Sequence, residues 1–496
     1  MSRKEIHPLR KEVEGLLGLL SDRATVDPFE LVLYQYDLAA VPPVLSGLLF
    51  RTLPDVVVRP RSMEEVSSVL RYATLHHLPV TPRAAASTAY YDAVPARGGV
   101  LLDLNGLRGI LDVDKERATV TVLAATRWKE LDDELRYKWG LAVRSYPTSA
   151  PSSTVGGWFN MEGWGVGSLQ YGCMHQQVLR AEAVLPGGKV VELTPNSNPP
   201  LSWFAGLEGT LGVITSLELG LRPAPEVESH RLIAFADFAR LQKAAARIAC
   251  LDPKPYHLHF ADSTFTRSIE RAGFETELPE DMHLLSVHYE GSRAEVEAAE
   301  APIAGVVQET GGKELERLLA HEEWRNRFSE VRAKRAGPSL LGAETLLPLR
   351  SLASYIESIS DLGRRLGLPI YTYGAVVSPE WCQPNSFFPT NERRALGYLT
   401  ALSVTKALQD RAARLGGRPN GVGVWNTPYL GRVWGSRERR ERLRRKAHLD
   451  PHGVMNPGKL YGAPLLLREP FFALGMGALA LLRRLARAGG EGSRTI

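Results

Sequence analysis

Three stretches short of side-chain volume, each at the end of a strand-like run, constrain this chain most. They are "PRAAASTAYYDAVPARGGV" (82–100), "PTSAPSSTVGGWFNMEGWGVGSLQYG" (147–172) and "GLEGTLGVIT" (206–215). Small residues let main-chain N–H groups approach an anion closely, and glycine lets the loop turn with positive φ. Hydroxyls at Ser152, Ser153 and Thr154 add donors. Any one stretch serves a turn as readily as a ligand. Three of them within about 130 residues point to a large phosphate-bearing ligand. No segment combines strand, GxGxxG and helix, so a Rossmann site is disfavoured, and neither GxxxxGK[ST] nor HExxH occurs.

The surrounding pattern is mixed. "PDVVVRPRSMEEVSSVLRYATLHHLPVTPR" (54–83) reads strand, helix, strand, with Ser62 as helix cap, after a helical N-terminus up to about Val26. A second unit follows, with strands in "GVLLDLNGL", "TVTVLAAT" and "GLAV" and a helix at Trp128 to Lys138. "QVLRAEAVLPGGKVVEL" is a hairpin turning at Gly187-Gly188. Prolines near Pro223 to Pro225 mark a boundary. From Ser229 the order becomes β-α-β-α: "HLHFAD", a helix at Phe265 to Ala272, "LLSVHYEG" and a helix from Arg293 to Thr310. That order suits an antiparallel sheet with helices on one face. Helices are expected at Glu314 to Ala333, Leu349 to Leu366 and Asn391 to Leu415, with a strand at "PIYTYGAVV". The divisions that follow are 1–222, 223–430, 431–462 and an apolar and basic tail, 463–496.

Three cysteines (Cys173, Cys250, Cys382) lie far apart, which excludes an in-chain four-cysteine iron–sulfur cluster and a disulfide framework. A reducing, cytoplasmic setting follows, since the charged N-terminus is no secretory signal. A net charge of +5 is no nucleic-acid footprint, and the run "RERRERLRRK" (437–446) carries the interleaved glutamates of a solvated helix. Near the C-terminus, "EPFFALGMGALALLRRLARAGG" holds twelve apolar or glycine residues, Phe471 to Leu482, before Arg483, Arg484 and Arg487. That is shorter than the roughly 20 needed to span a bilayer. A helix lying on the cytoplasmic membrane face through 471–487, a partner-docking helix and an internal packing helix are the three readings it allows.

Five separated motifs carry a resemblance. "PDVVVRPRSMEEV" (54–66), "PRAAASTAYYDAVP" (82–95), Thr154 to Gly157 with Tyr171-Gly172, Gly206 to Thr215, and Asp450 to Lys459 resemble the FAD-linked oxidases and dehydrogenases of the vanillyl-alcohol-oxidase superfamily. Within that group they look most like the D-lactate and glycolate dehydrogenases. Ala84, Ala85 and Ala86 stand where that family has glycines. The resemblance implies an α+β fold: a two-subdomain FAD-binding domain of the p-cresol methylhydroxylase (PCMH) type, a cap with a ferredoxin-like sheet, and a C-terminal segment returning to the FAD domain.

It also implies residue roles. Arg83 and the backbone of Ala84, Ala85, Ala86, Ser87 and Thr88 would hold the pyrophosphate of FAD. Pro147, Thr148, Ser149, Thr154, Gly156, Gly157, Tyr171 and Gly172 would line the flavin side. Glu208, Gly212, Val213 and Ile214 would meet the adenosine half, and Asn456 and Lys459 would close the tail over the cofactor. No His or Cys occupies the positions where relatives attach flavin covalently, so FAD is expected to be noncovalent.

The substrate half departs from the family. The histidine-rich strand and the Glu-His-Gly of metal-using relatives are replaced by "IYTYGAVVSP" and "GVGVWN" (421–426), so no metal is expected. "HEEWRNR" keeps the family's Trp-x-x-Arg at Trp324 and Arg327, and a guanidinium suits bidentate carboxylate recognition. His288, Tyr373, Tyr371 and the pair His257/His259 are the polar residues of the cap strands from which a proton acceptor would come.

The expected activity is oxidation of a 2-hydroxy acid by hydride transfer to flavin N5. Electrons would leave to a quinone or a separate iron–sulfur subunit. The competing expectations are the same flavin fold acting on a phenol, sugar, lactone or ether-lipid precursor, and a redox-inactive subunit of a complex.

Overall fold

A computed structural model describes residues 11–39, 41–274, 277–279, 281–421 and 423–488. Residues 1–10 of the N-terminal segment read as helical, and 489–496 of the tail, lie outside the described residues.

Two sheets build the first half. In the smaller, the fully buried Val56–Val58 pairs in parallel with Val100–Asp103, which pairs in parallel with Val80–Arg83. Ala24–Thr25 adds an antiparallel edge. Strands buried on both faces read as unbroken apolar runs, as Val56–Val58 and residues 100–102 do. Helix Met63–Leu75 covers this sheet; the Ser62 side chain caps it by accepting from Glu65 N, and Val66, Val69, Leu70 and Ala73 point inward. The larger sheet runs Ile110–Asp114, Thr119–Leu123, Val213–Pro223, Val178–Val184, Val190–Leu193, with Leu141–Val143 paired to the far end of Val213–Pro223. Its hairpin turns where Gly187 and Gly188 take φ of 84° and 83°, at the expected place.

An eight-stranded sheet forms the second half. Its seven pairings are antiparallel, and strands Val227–Phe235, His283–Gly291, His257–Ala261 and Tyr371–Val376 lie side by side. Helices Phe238–Ile248 and Leu352–Leu366 pack on one face through Ile233, Phe235, Leu258, Phe260, Leu285 and Val287. Strand alternation turns His230, His257, His259, His288 and Tyr373 to the opposite face. This is the α+β architecture read from the sequence.

Several elements differ from the sequence reading. The helix expected from Arg293 to Thr310 is two helices, Arg293–Glu300 and Ile303–Thr310, broken at Pro302, whose ring cannot donate within a helix. The helix expected from Glu314 to Ala333 stops at Arg325 and continues as 3-10 turns. Two strands, Ser339–Pro348 and Trp381–Thr390, were not expected; Pro384 and Pro389 argue against the second. That strand nonetheless alternates half-buried and buried residues from end to end, the signature that outweighs its prolines.

The C-terminal helix Phe471–Ala488 packs back on the molecule. Phe472 is buried edge-on to Tyr429, with ring centroids 6.0 Å apart, while Leu474, Leu481, Leu482 and Leu485 face outward. No helix among the described residues is long and apolar enough to cross a membrane.

Candidate functional site

The three small-residue stretches meet. Strand Val80–Arg83 delivers Arg83 and the alanine loop to its C-terminal end. A Cβ on Gly209 (φ +66°) would lie 2.6 Å from Pro82 Cγ, so the third stretch approaches the first as only glycine permits. The third also bonds the second: Glu208 N donates to Asn160 O at 3.1 Å and Gly209 N to Asn160 Oδ1 at 3.1 Å. Within the second, Thr154 caps helix Val155–Asn160 by accepting from Gly157 N, and Gly156 N donates to Ala124 O at 2.8 Å. Tyr171 and Gly172 (φ 77°) end the next short helix. Pro147 and Ser149 supply carbonyls to a tight turn through Ala150, Ser152 and Ser153, and Thr148 lies between them.

The C-terminal segment locks this arrangement. Val80 N donates to Val454 O and Asn456 N to Val80 O, each at 2.8 Å. Asn456 Nδ2 donates to Glu208 O at 2.7 Å. Lys459, 1 % exposed, donates to Asn456 Oδ1 at 2.7 Å and to Asp92 O in the alanine loop. Lys446 Nζ bonds Thr210 O, Met455 O and Asp450. Asn456 and Lys459 therefore join the first and third stretches.

Charge is concentrated beneath the alanine loop. Burial pushes the carboxyls of Asp37, to about 7, Asp92 and Glu208 upward, and the charges on one another add to the rise in Asp37 and Glu208. Burial lowers Arg83 and Lys459 in turn. Glu208 Oε1 accepts from Gly423 N at 2.5 Å, while Glu208 Oε2 and Asp92 Oδ1 have no hydrogen-bond partner among the described residues.

The backbone is poised for an anion. Among the described residues, no N–H from Ala85 to Ala89 donates to any protein group, while Ala84 O and Thr88 O are held by Asn105 Nδ2 and Leu38 N. Ala86 alone of the three alanines has positive φ, 50°. Five of the eight non-glycine residues in that region, Ala86, Tyr91, Glu162, Glu208 and Asn456, surround these loops, so backbone strain collects here. Free N–H groups, a buried Ser153 Oγ without partner and glycine-tight approaches fit a dinucleotide's phosphates and ring oxygens. Val213 and Ile214 have their side chains in the two cores, leaving only backbone to meet a ligand, and Gly212 sits against Val184 O, where a Cβ would come within 2.7 Å.

The cap contributes the second wall. Arg327 Nε donates to Tyr146 Oη at 3.1 Å and Nη1 to Trp324 O at 2.8 Å, with the guanidinium 4.1 Å from the Trp324 ring centroid. It makes no ion pair among the described residues, and Tyr146 adjoins Pro147 of the second stretch. Trp324 lies 4.1 Å from His288 and 5.2 Å from His230, centroid to centroid. His230 and His288 face each other across paired strands with Nδ1 atoms 3.0 Å apart. Burial lowers both imidazoles, His230 to about 4 and His288 well below its ordinary range, with neighbouring histidines adding to the effect. Both rings are thus neutral at pH 7, and one Nδ1–H donates to the other Nδ1. The donor's Nε2 is then an acceptor. His257, lowered by burial and by His259, packs on His288 with an unpartnered Nδ1.

The structure brings Arg327 and His288 together through Trp324. Tyr373 lies farther along this face, 6.2 Å from His259 and in an aromatic cluster with Phe265 and Phe387 at 5.1 and 6.0 Å. His230, His321 and Tyr146 escaped the sequence reading; the alternation of "SHRLIAF" beside "SVHYEG" carries the only trace of the first. Glu162, Cys173 and His175 are the one group of three potential metal donors among the described residues. Hydrogen bonds to Cys173 and Glu162 raise the His175 imidazole to about 10.

Comparison with known proteins matches this architecture. Residues 54–194 match the FAD binding domain family, and 224–460 the C-terminal domain of FAD-linked oxidases. The chain is 24 % identical over 436 residues to glycolate oxidase subunit GlcD of Bacillus subtilis, covering 83 % of this chain and 90 % of that one. It is 27 % identical over 447 residues to a D-lactate dehydrogenase of Archaeoglobus fulgidus, covering 86 % and 95 %. In fold it is similar to p-cresol methylhydroxylase, with TM-score 0.77, 18 % identity and coverage of 90 % and 95 %. An alkyldihydroxyacetonephosphate synthase gives TM-score 0.75, 18 % identity and coverage of 92 % and 86 %. Two family domains, over 54–194 and 224–460, on a fold of the PCMH type make this chain a member of the FAD-linked oxidoreductases, with FAD as its cofactor.

Proposed function

We propose that this chain is a dehydrogenase oxidising 2-hydroxy acids, with noncovalent FAD held by the three small-residue stretches. The observation carrying the substrate class is Arg327: a half-buried guanidinium with no carboxylate partner among the described residues, tied by Tyr146 to the loop at Pro147 and separated from His288 by one indole ring. Arg327 receives the substrate carboxylate through parallel N–H donors. The neutral His230–His288 pair accepts the hydroxyl proton at a free ring nitrogen, and His257 supports it from the adjacent strand. Trp324 fixes the distance between anchor and base and excludes water. FAD, when bound, supplies the hydride acceptor. Tyr373 shapes the far wall. The names of its relatives, glycolate oxidase and D-lactate dehydrogenase, support this class. Electrons leave to a quinone or an iron–sulfur partner.

The test is anaerobic reduction of the holoenzyme's visible flavin absorbance by D- and L-2-hydroxy acids, phenols and sugar lactones. Bleaching by 2-hydroxy acids supports the reading; bleaching only by donors without a carboxylate overturns it, as does a colourless chain.

A further inference from the structure

A second pocket lies along strand Ser339–Pro348 of the cap sheet, whose residues 340–344 line it together with Phe387, the ring neighbour of Tyr373. Its enclosed space is about 100 Å3, a narrow slot beside the roughly 300–1,000 Å3 usual for small-molecule sites. Leu340 of the cap sheet, Leu402, Trp425 and Met476 of the C-terminal helix form its walls, and Ala89 and Tyr90 of the alanine loop form one end. No lysine, arginine or histidine lines it among the described residues. Its polar groups are few. Gln409 is 5 % exposed and Tyr429 4 %, and Gln409 Oε1 and Tyr429 Oη have no hydrogen-bond partner among the described residues. Burial holds the Glu344 carboxyl above its ordinary range, and it raises the Tyr429 phenol likewise. Buried polar atoms left unpaired are costly, so both atoms call for a partner that the protein does not supply.

We propose that this pocket binds a slim hydrocarbon chain ending in an uncharged hydrogen-bonding head, with the head on Gln409 and Tyr429 and the chain between the cap sheet and the C-terminal helix. The lack of a cation excludes a carboxylate or phosphate head, which would be buried without a counter-charge. The unpaired amide oxygen asks for a donor, and the phenol can donate or accept. An isoprenoid quinol and a long-chain alcohol share this chemistry. The position of Phe472 and Met476 explains why the C-terminal apolar segment folds inward on one side. The proposal concerns binding and stands apart from the choice of oxidised donor.

The test uses the FAD-loaded enzyme, kept anaerobic, and two photoreactive diazirine probes, one built on decanol and one on a decyl-substituted hydroquinone. Crosslinks are expected in 340–344, 398–409, 425–429 or 472–476, competed by the unlabelled chain and not by ethanol or unsubstituted hydroquinone. Whichever probe labels these segments identifies the source of the chain. Thr405→Trp, which fills the pocket from its half-buried wall, is expected to weaken binding at least about tenfold with flavin content and melting temperature unchanged. Labelling scattered over other segments, or a folded Thr405→Trp that binds equally well, overturns the proposal. The crosslink map is read on the unaltered chain, so it decides the matter even if the variant fails to fold.

Discussion

The two walls of the site are built by opposite means. On the FAD side, main-chain N–H groups and buried charges do the work, supplied by short runs of small residues and locked by Asn456 and Lys459. On the cap side, side chains do the work, and they come from strands or turns centred on residues 230, 257, 288 and 327 that only sheet register brings together. A backbone site depends on conformation and burial; a side-chain site depends on the identity of a few groups. The two walls therefore break in different ways: alterations on the FAD side cost folding and flavin, and alterations on the cap side cost turnover with flavin retained.

The sharpest break on the FAD side is Lys459→Met. It leaves Asp92 and Glu208 buried without their cation, and removing one partner of a buried charge group costs about 3–5 kcal/mol. Thermal unfolding and flavin release are expected to shift together; a variant that melts as the parent does and keeps its FAD removes Lys459 from the lock.

On the cap side, Arg327→Met is expected to lower kcat/KM about 100-fold, the loss of a charged contact of about 3 kcal/mol, with flavin content unchanged. Flavin loss in that variant would place Arg327 on the wrong wall.

The histidines sharpen the comparison through pH. Their folded-state values lie below the ordinary 6.5, to about 4 for His230. The unfolded chain therefore takes up protons first as pH falls, and the imidazoles cost stability below about 6.5 and nothing above it. The same shift keeps the base ready: kcat/KM is expected to stay level from pH 8 to about 5. An acid limb centred near 6.5 contradicts the neutral pair.

The smallest effect is the most local. Ala86, at φ 50°, carries strain of about 1–2 kcal/mol that glycine relieves, against about 0.5–1 kcal/mol of added chain entropy. Ala86→Gly is expected to raise the melting temperature slightly, and Ala85→Gly, with no positive φ to relieve, to lower it. Equal signs in the two variants contradict the loop geometry.

Legibility in the sequence follows the same division. The cap Ser62, the Gly187-Gly188 turn, the three small-residue stretches and the tail motif at Asp450 to Lys459 are local signals, because backbone chemistry is written in consecutive residues. The proposed anchor Arg327 sits in one short motif. His230 and Tyr146 were not, since nothing in the neighbourhood of either residue specifies a partner 58 or 181 positions away. Strand Trp381–Thr390 was hidden by its prolines, and the break at Pro302 by helical composition on both sides.

The most direct measurement is anaerobic flavin reduction by a 2-hydroxy acid and by its amide, in the parent enzyme and in Arg327→Met. The site described here requires the parent to prefer the acid strongly and the variant, still yellow, to lose that preference. An acid-to-amide ratio untouched by the substitution would mean that Arg327 does not read the carboxylate, and that the cap wall has been assigned to the wrong side chains.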